Sequence, residues 1–192
     1  ALLALHETGA TVIVTSGNHD SAARLGFHSR LLRDGIHVLT DPRAIATPLT
    51  VHDEHGPVQF FGIPNLEPAI VRQHWADADG AGPTLRTQAQ TMTHAMDLVR
   101  AGMDAHPGRS VAVAHCFAAG VDATVGLERE VRQGGLDVVP LATFDGPDYV
   151  ALGHIHGRQQ LSDRVRYSGA PLHYSFGEQR KERGSWLVEL DA

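Results

Sequence analysis

The feature that most constrains this chain is a recurring pattern in which a short apolar run ends in a polar cluster that contains histidine. Runs at 11–15, 110–114 and 149–152 are rich in β-branched and small apolar residues, which predicts buried strands. Helical spacing separates them, most clearly from Thr84 to about His106. Alternating strands and helices predict a layered α/β domain. Sites in such sheets form outside the carboxyl ends of the strands, so we expect the three clusters to meet at one edge.

Shorter elements are predicted around these strands. Further strands are expected at 37–39, 44–52, 58–63, 164–168 and 186–190. The turn residues between the second and third of these predict a hairpin. Helices are expected at 1–8, 21–33 and 68–75. The apolar positions of the helix at 21–33 are Ala22, Leu25, Leu31 and Leu32.

Length, charge and cysteine usage limit the class of protein. The 192 residues suit one domain, which we take as 1–192. A net charge of −6 argues against a general basic nucleic-acid binder, but not against a nuclease, because bound cations supply positive charge locally. Cys116 is the only cysteine, so we expect no internal disulfide and a cytoplasmic setting. No basic leader and no apolar run near the ~20 residues of a membrane helix is present, so neither a signal peptide nor membrane association is expected.

The first polar cluster is Gly17-Asn18-His19-Asp20. The amide oxygen of Asn18 is a hard, neutral ligand that suits a divalent cation. His19 can protonate a leaving group or stabilise charge on a phosphate, and Asp20 can orient its ring. The alternative is that Asn18 or Asp20 is only the N-cap of the next helix.

The second and third clusters add imidazole groups. His115 follows the strand at 110–114, where a lone histidine is more often structural than a ligand. Its neighbour Cys116 can bind a soft metal, but a buried small residue is the preferred interpretation. The third cluster holds His154 and His156, separated by one residue, which can address neighbouring metal positions from one turn.

Together the clusters predict a metal centre. The candidate ligands are Asn18, His115, His154 and His156. Mixed nitrogen and oxygen ligands suit manganese, iron or zinc better than an all-oxygen magnesium or calcium site. Two such ions about 3.5–4 Å apart can activate water and neutralise a phosphate.

These motifs resemble the calcineurin-like metallophosphoesterase superfamily, and most closely its SbcD family of bacterial DNA-repair nucleases. The matching segments are 16–25, 144–156, 167–172 and 175–178. The resemblance implies a layered αββα sandwich. It also implies that Asn18, His115 and His154 bind one metal and that His156 binds the other. His19 would be the catalytic histidine at the scissile phosphate, supported by Asp20.

The resemblance also implies an activity and partners. Members hydrolyse DNA phosphodiester bonds with two divalent ions, manganese in most cases, as double-strand exonucleases and as endonucleases on single strands and hairpins. They act in DNA repair and recombination as dimers with SbcC, an ATPase of the SMC type. DNA, such an ATPase and a second copy are therefore the expected partners.

Two family features are absent from this sequence. The family begins with an Asp-x-His motif and a Gly-Asp motif whose aspartate bridges both metals, and neither precedes Gly17. The C-terminal capping region is also missing. We therefore expect a partial domain that lacks its first strand–helix units, is inactive or nearly so alone, and leaves a sheet edge or core surface uncovered.

Two other functions fit part of this pattern. The first is a metallophosphoesterase of the same superfamily that acts on cyclic nucleotides or small phosphoesters. The second is a non-catalytic structural remnant that keeps the fold without the metals. The longer SbcD-like segments disfavour the first, and retention of the candidate ligands disfavours the second for the parent protein.

Overall fold

The computed structural model of the chain describes residues 2–32, 34–76, 80–119, 138–180 and 182–191. Its helices are α1 (Leu2–His6), α2 (Ala22–Gly26), α3 (Pro68–His74) and α4 (Gln88–Ala105). Its strands are β1 (Val12–Thr15), β2 (Ile36–Leu39), β3 (Leu49–Asp53), β4 (Gly56–Gly62), β5 (Arg109–His115), β6 (Tyr149–Gly153), β7 (Gln159–Gln160) and β8 (Val165–Tyr167). Within the described ranges, none of the helices has both the length and the apolar character that a membrane span requires.

The strands form a mixed α/β structure with two sheets. β1 and β2 pair in parallel in a two-stranded sheet. The other strands form a sheet of order β3-β4-β5-β6-β8-β7, in which β4, β5, β6 and β8 are parallel neighbours. β3 and β4 form the predicted antiparallel hairpin, and β7 pairs antiparallel with β8. The parallel centre places the carboxyl ends of β5 and β6 side by side, with His115 opposite Gly153.

The main core lies between the six-stranded sheet and the long helix α4. Alternation along each strand sends Phe61, Ala112 and Val150 to this face, where all three are fully buried. Met92 and Met96, on the apolar face of α4, pack into the same cluster. The methionines on this face of α4 are therefore part of the core, as the helical spacing predicts.

The predicted helix at 21–33 is wrong in extent. The structure has the short α2 followed by a single 3-10 turn at Ser29–Leu31. Leu25 and Leu31 are exposed, by 37% and 79%, and Ala22 is only half-buried, so most of the predicted apolar face is left uncovered by the described part of the chain. Most helix stability in proteins comes from such packing, and Gly26 lowers helix propensity by about 1 kcal/mol relative to alanine.

The predicted closing strand at 186–190 is also wrong, because this segment has no strand pairing. Val188 and Leu190 nevertheless pack on the second face of the sheet, against Val58, Val111 and Tyr149. The alternation of apolar and polar residues indicates which side chains face the protein interior. An extended segment that lies on a sheet can have this alternation without forming backbone hydrogen bonds to a neighbouring strand.

Candidate metal centre

The first polar cluster forms a tight turn directly after β1. The Gly17 amide donates to Asp20 Oδ2 at 2.8 Å, and the Asp20 amide donates to the Gly17 carbonyl at 3.1 Å. The N-cap of α2 is Ser21, whose hydroxyl accepts from the Arg24 amide. The interpretation of Asn18 or Asp20 as the helix cap is therefore wrong, and the Asn18 side chain is left to make a distant contact.

That contact joins the first cluster to the second. Asn18 Oδ1 lies 2.9 Å from His115 Nε2, across 97 positions of sequence. Two glycines allow the ring to sit there: a Cβ on Gly17 would lie 2.8 Å from His115 Cε1, and a Cβ on Gly153 would lie 3.0 Å from His115 Nδ1. The first spacing is too short for a side chain, and the second would require the His115 ring to shift, so both glycines leave room for this ring.

His154 completes the group from the end of β6. Its ring centroid is 5.2 Å from that of His115, in an edge-on arrangement. Its backbone φ is 108°, which makes it the single non-glycine residue with positive φ in the described ranges. Such backbone conformations are costly and concentrate at functional sites, because the surrounding fold must hold them in place.

The fourth candidate ligand, His156, contacts a buried carboxylate. His156 Nδ1 lies 2.9 Å from Glu178 Oε1, and Glu178 is 5% exposed. Burial raises the pKa of this carboxyl, but hydrogen bonds from His156, the Tyr174 amide and Arg183 outweigh it and lower the pKa to about 2. Glu178 is therefore ionised throughout the physiological range.

Electrostatics keep His115 neutral. Burial, followed by the nearby imidazoles of His154 and His19, lowers the pKa of His115 to about 4, and the Asp20 carboxylate opposes the shift only in part. A neutral imidazole is the form that binds a metal. The same interactions place His19 and Asp20 close to the His115 ring, although the Asp20 hydrogen bond described above goes to Gly17 and not to His19.

The lowered pKa of His115 predicts a specific pH dependence of stability. The unfolded chain takes up this proton near pH 6.5 and the folded chain only near pH 4, so acidification between these values favours unfolding. The stabilising difference is complete above pH 6.5 and is lost as the pH falls toward 4. We expect a loss of about 1–3 kcal/mol in the free energy of unfolding from this residue.

Urea unfolding of the wild-type chain and of His115→Gln at pH 7 and at pH 4.5 measures this effect. The variant should lose less stability on acidification than wild type. His52→Gln changes an exposed histidine on β3 and serves as the control. Equal acid sensitivity of wild type and His115→Gln would contradict the assignment.

Asn18, His115 and His154 supply the ligand types that a divalent ion could use. In the structure Asn18 Oδ1 and His115 Nε2 are 2.9 Å apart, the distance of an ordinary hydrogen bond from a ring N–H to an amide oxygen. In the described ranges, no group of three or more His, Cys, Asp or Glu side chains is arranged to hold a metal. The set that does converge has two imidazoles and one amide oxygen, which leaves coordination positions open. For a second ion, His156 is the candidate ligand in the same ranges.

Cys116 does not extend this donor set. Its thiol is buried, and burial raises its pKa to about 12, so it stays protonated at neutral pH. Metals bind the thiolate and not the thiol. The interpretation of Cys116 as a small buried residue agrees with its place in the main core.

Sequence reasoning did not assign a role to Glu178 or Arg183. Arg183 Nη2 donates to Glu178 Oε2 at 2.5 Å, and its Nη1 donates to the His156 carbonyl. Both charged residues lie in the polar segment 177–184, whose composition is typical of a connection at the surface. No spacing rule links them to His156, and only the folded chain brings them together.

A scan against models of known protein families finds no match to this chain. The resemblance to the metallophosphoesterases therefore depends on the segments quoted above. The Asn18–His115 contact and the proximity of the His154 ring are observations of the structure that do not depend on motif similarity.

Proposed function

We propose that this chain carries part of the active site of a metal-dependent phosphodiesterase, and that the parent protein is an SbcD-like DNA nuclease. One observation carries the proposal. Asn18, His115 and His154 follow three different strands, yet the first two are in contact and the rings of the last two are 5.2 Å apart. An amide oxygen that follows a strand of one sheet and two imidazoles at strand ends of the other are suited to a first-row divalent ion.

The residues of this centre have separate tasks. A divalent ion bound here would polarise a phosphoryl oxygen and lower the pKa of a water. Asn18 and the neutral His115 and His154 would hold that ion. His19, which is exposed beside Asn18, would contact the phosphate and give a proton to the leaving oxygen. Asp20 keeps the turn closed through the Gly17 amide and so fixes the direction of both preceding side chains.

The finer parts of the proposal derive from the resemblance. Manganese is the proposed metal, with His156 as a ligand to a second ion. DNA is the proposed substrate, and an SbcC-like ATPase and a second copy of the chain are the proposed partners in the cytoplasm. The position of His156, two residues beyond His154 and with Nδ1 held by Glu178, supports its place in the same centre.

Manganese binding tests the metal centre directly. Mn²⁺ broadens the NMR signals of nearby nuclei, so substoichiometric Mn²⁺ should broaden the ring signals of His115 and His154 first. His52, on the exposed hairpin strand β3, should stay sharp. We expect Asn18→Leu and His115→Gln each to weaken Mn²⁺ binding by at least about 10-fold, since even outer-shell changes cost 10–100-fold.

The matched control is His52→Gln, which removes an imidazole of equal chemistry outside the centre. Uniform broadening of all histidines, or unchanged affinity in Asn18→Leu and His115→Gln, would refute the metal centre. Nuclease activity is tested in a chain that also carries the Asp-x-His and Gly-Asp motifs. Cleavage of a DNA hairpin that is lost in His19→Gln supports the proposal, whereas cleavage only of small chromogenic phosphodiesters favours the alternative phosphoesterase.

A further inference from the structure

The contact between His156 and Glu178 differs from an ordinary surface ion pair. The Glu178 side chain is 6% exposed and that of His156 is 37% exposed, so the carboxylate lies behind the ring and the ring faces outward. The two carboxylate oxygens have different partners. Oε1 contacts His156 Nδ1 at 2.9 Å, while Oε2 accepts from Arg183 and from the Tyr174 amide.

Arg183 fixes the carboxylate and the histidine backbone together. Arg183 Nη2 donates to Glu178 Oε2. Arg183 Nη1 donates to the carbonyl of His156 and, at 3.4 Å, to that of Ala170. Because the guanidinium is planar and rigid, these bonds fix the carboxylate relative to the peptide of the residue that it contacts. The contacts that hold Glu178 Oε2 therefore do not involve the His156 ring.

We infer that Glu178, fixed by Arg183, is a positioning residue that holds neutral His156 in the Nδ1–H tautomer with the Nε2 lone pair facing outward. A carboxylate accepts hydrogen bonds and cannot donate them when ionised, so the ring nitrogen that contacts it must carry the proton. The remaining nitrogen then has a free lone pair. The identity of what Nε2 binds rests on the proposed function, but the tautomer does not.

The competing explanation is that Glu178 and Arg183 form a structural ion pair and that His156 only lies nearby. The geometry favours the positioning role, because Arg183 and Tyr174 both use Oε2 and leave Oε1 to the imidazole. The ring also lies beside that of Tyr174, with centroids 5.2 Å apart. A purely structural pair would not constrain which ring nitrogen is protonated.

The tautomer is measurable in the metal-free chain. Long-range ¹H–¹⁵N NMR spectra separate protonated from unprotonated ring nitrogens, and His156→Gln identifies the His156 signals by their loss. In wild type, at a pH of about 8.5 where imidazoles are neutral, we expect Nδ1 protonated and Nε2 unprotonated. A wild-type spectrum with the proton on Nε2 overturns the inference.

Variants then separate positioning from stability. Glu178→Leu combined with Arg183→Met removes both buried charges and leaves neither unpaired, and backbone amide spectra test whether the fold is retained. We expect His156 in this double variant to shift to the Nε2–H form, which a free histidine side chain prefers. Glu178→Gln keeps a single oxygen acceptor, which Arg183 and the Tyr174 amide use, so its NH2 group faces Nδ1 and should also favour the Nε2–H form. An unchanged tautomer in the folded double variant overturns the inference.

An exposed pair in the same chain provides the matched control. Glu54 Oε1 lies 3.5 Å from His55 Nε2, and the side chains are 86% and 51% exposed. Glu54→Gln disrupts a histidine–carboxylate pair whose carboxylate is exposed. This change should leave the His156 spectrum unchanged.

Failure of this inference can be distinguished from failure of the proposed function. If the Nδ1–H tautomer is found and Mn²⁺ does not bind, the metal centre fails and the positioning role stands. If Mn²⁺ binds at the centre and His156 carries its proton on Nε2, the positioning role fails alone. Where both hold, Glu178→Gln should weaken Mn²⁺ binding about 10-fold, the lower end of the usual effect of a second-layer carboxylate.

Discussion

Truncation of Tyr167 to alanine is expected to lower the free energy of unfolding by about 3–5 kcal/mol. Tyr167 is fully buried in the main core at the end of β8. Its hydroxyl donates to the Cys116 carbonyl at 2.8 Å and accepts from the Ala118 amide at 2.9 Å. The side chain therefore fills core volume and also fixes the segment directly after His115, and its loss leaves a cavity and two buried backbone groups without partners.

Urea unfolding of Tyr167→Ala and Tyr167→Phe separates the two contributions. Tyr167→Phe removes only the hydroxyl and should cost about 1–3 kcal/mol, the penalty for unsatisfied buried polar groups. Tyr174→Phe is the control, since Tyr174 is 67% exposed, and its change should stay within about 0.5 kcal/mol. A Tyr167→Phe variant as stable as wild type would mean that the hydroxyl contacts contribute nothing.

Replacement of Arg183 by methionine is expected to cost about 3–5 kcal/mol, because it leaves the buried Glu178 carboxylate without its charged partner. The Glu178→Leu/Arg183→Met double variant should cost much less than the sum of the two single changes. Arg158→Met is a control of the same chemistry. Its partner Glu182 is 79% exposed, so that change should cost only about 0–1 kcal/mol.

The pH dependence of the Arg183→Met variant provides a second measurement. The pKa of Glu178 is lowered in the folded chain, so its stabilising effect is present above the unfolded value of 4.5 and is lost as the pH falls toward 2. Without Arg183 the pKa should rise and the acid-induced loss should begin at higher pH. Additive effects of the single changes, together with an unaltered acid profile, would show that the pair is not coupled.

Much of the fold follows from local patterns. β-branched runs predicted β1, β5 and β6, the turn between two short runs predicted the β3–β4 hairpin, and the spacing of α4 predicted its buried face. The failures have a common physical cause. At 21–33 and 186–190 the periodicity is real, but periodicity sets side-chain direction and does not by itself form a regular element. The apolar side chains of the first segment are largely exposed, and the second segment packs on a sheet without pairing to a strand.

The candidate centre was predictable only in part. The expectation of one shared edge holds for His115 and His154, which lie at the carboxyl ends of the parallel neighbours β5 and β6. It is wrong for Asn18, because β1 belongs to the separate two-stranded sheet and Asn18 reaches His115 from one sheet to the other. The left-handed backbone at His154 could not be predicted, since non-glycine residues rarely adopt it and no spacing signals it. Glu178 was likewise hidden, because its contact with His156 depends on the path of loops between β6 and the C-terminal segment.

The Asn18–His115 contact also sets when in the life of the chain this centre can exist. It joins the two sheets across 97 residues, so the entropy of closing a long loop must be overcome before the two groups meet. During synthesis the amino-terminal cluster emerges long before its counterpart on β5, and it waits without its binding partner. An ion that binds only when the two sheets are in contact would stabilise the complete fold over all partly assembled states. Such an ion would therefore bind late in folding, after both sheets have formed.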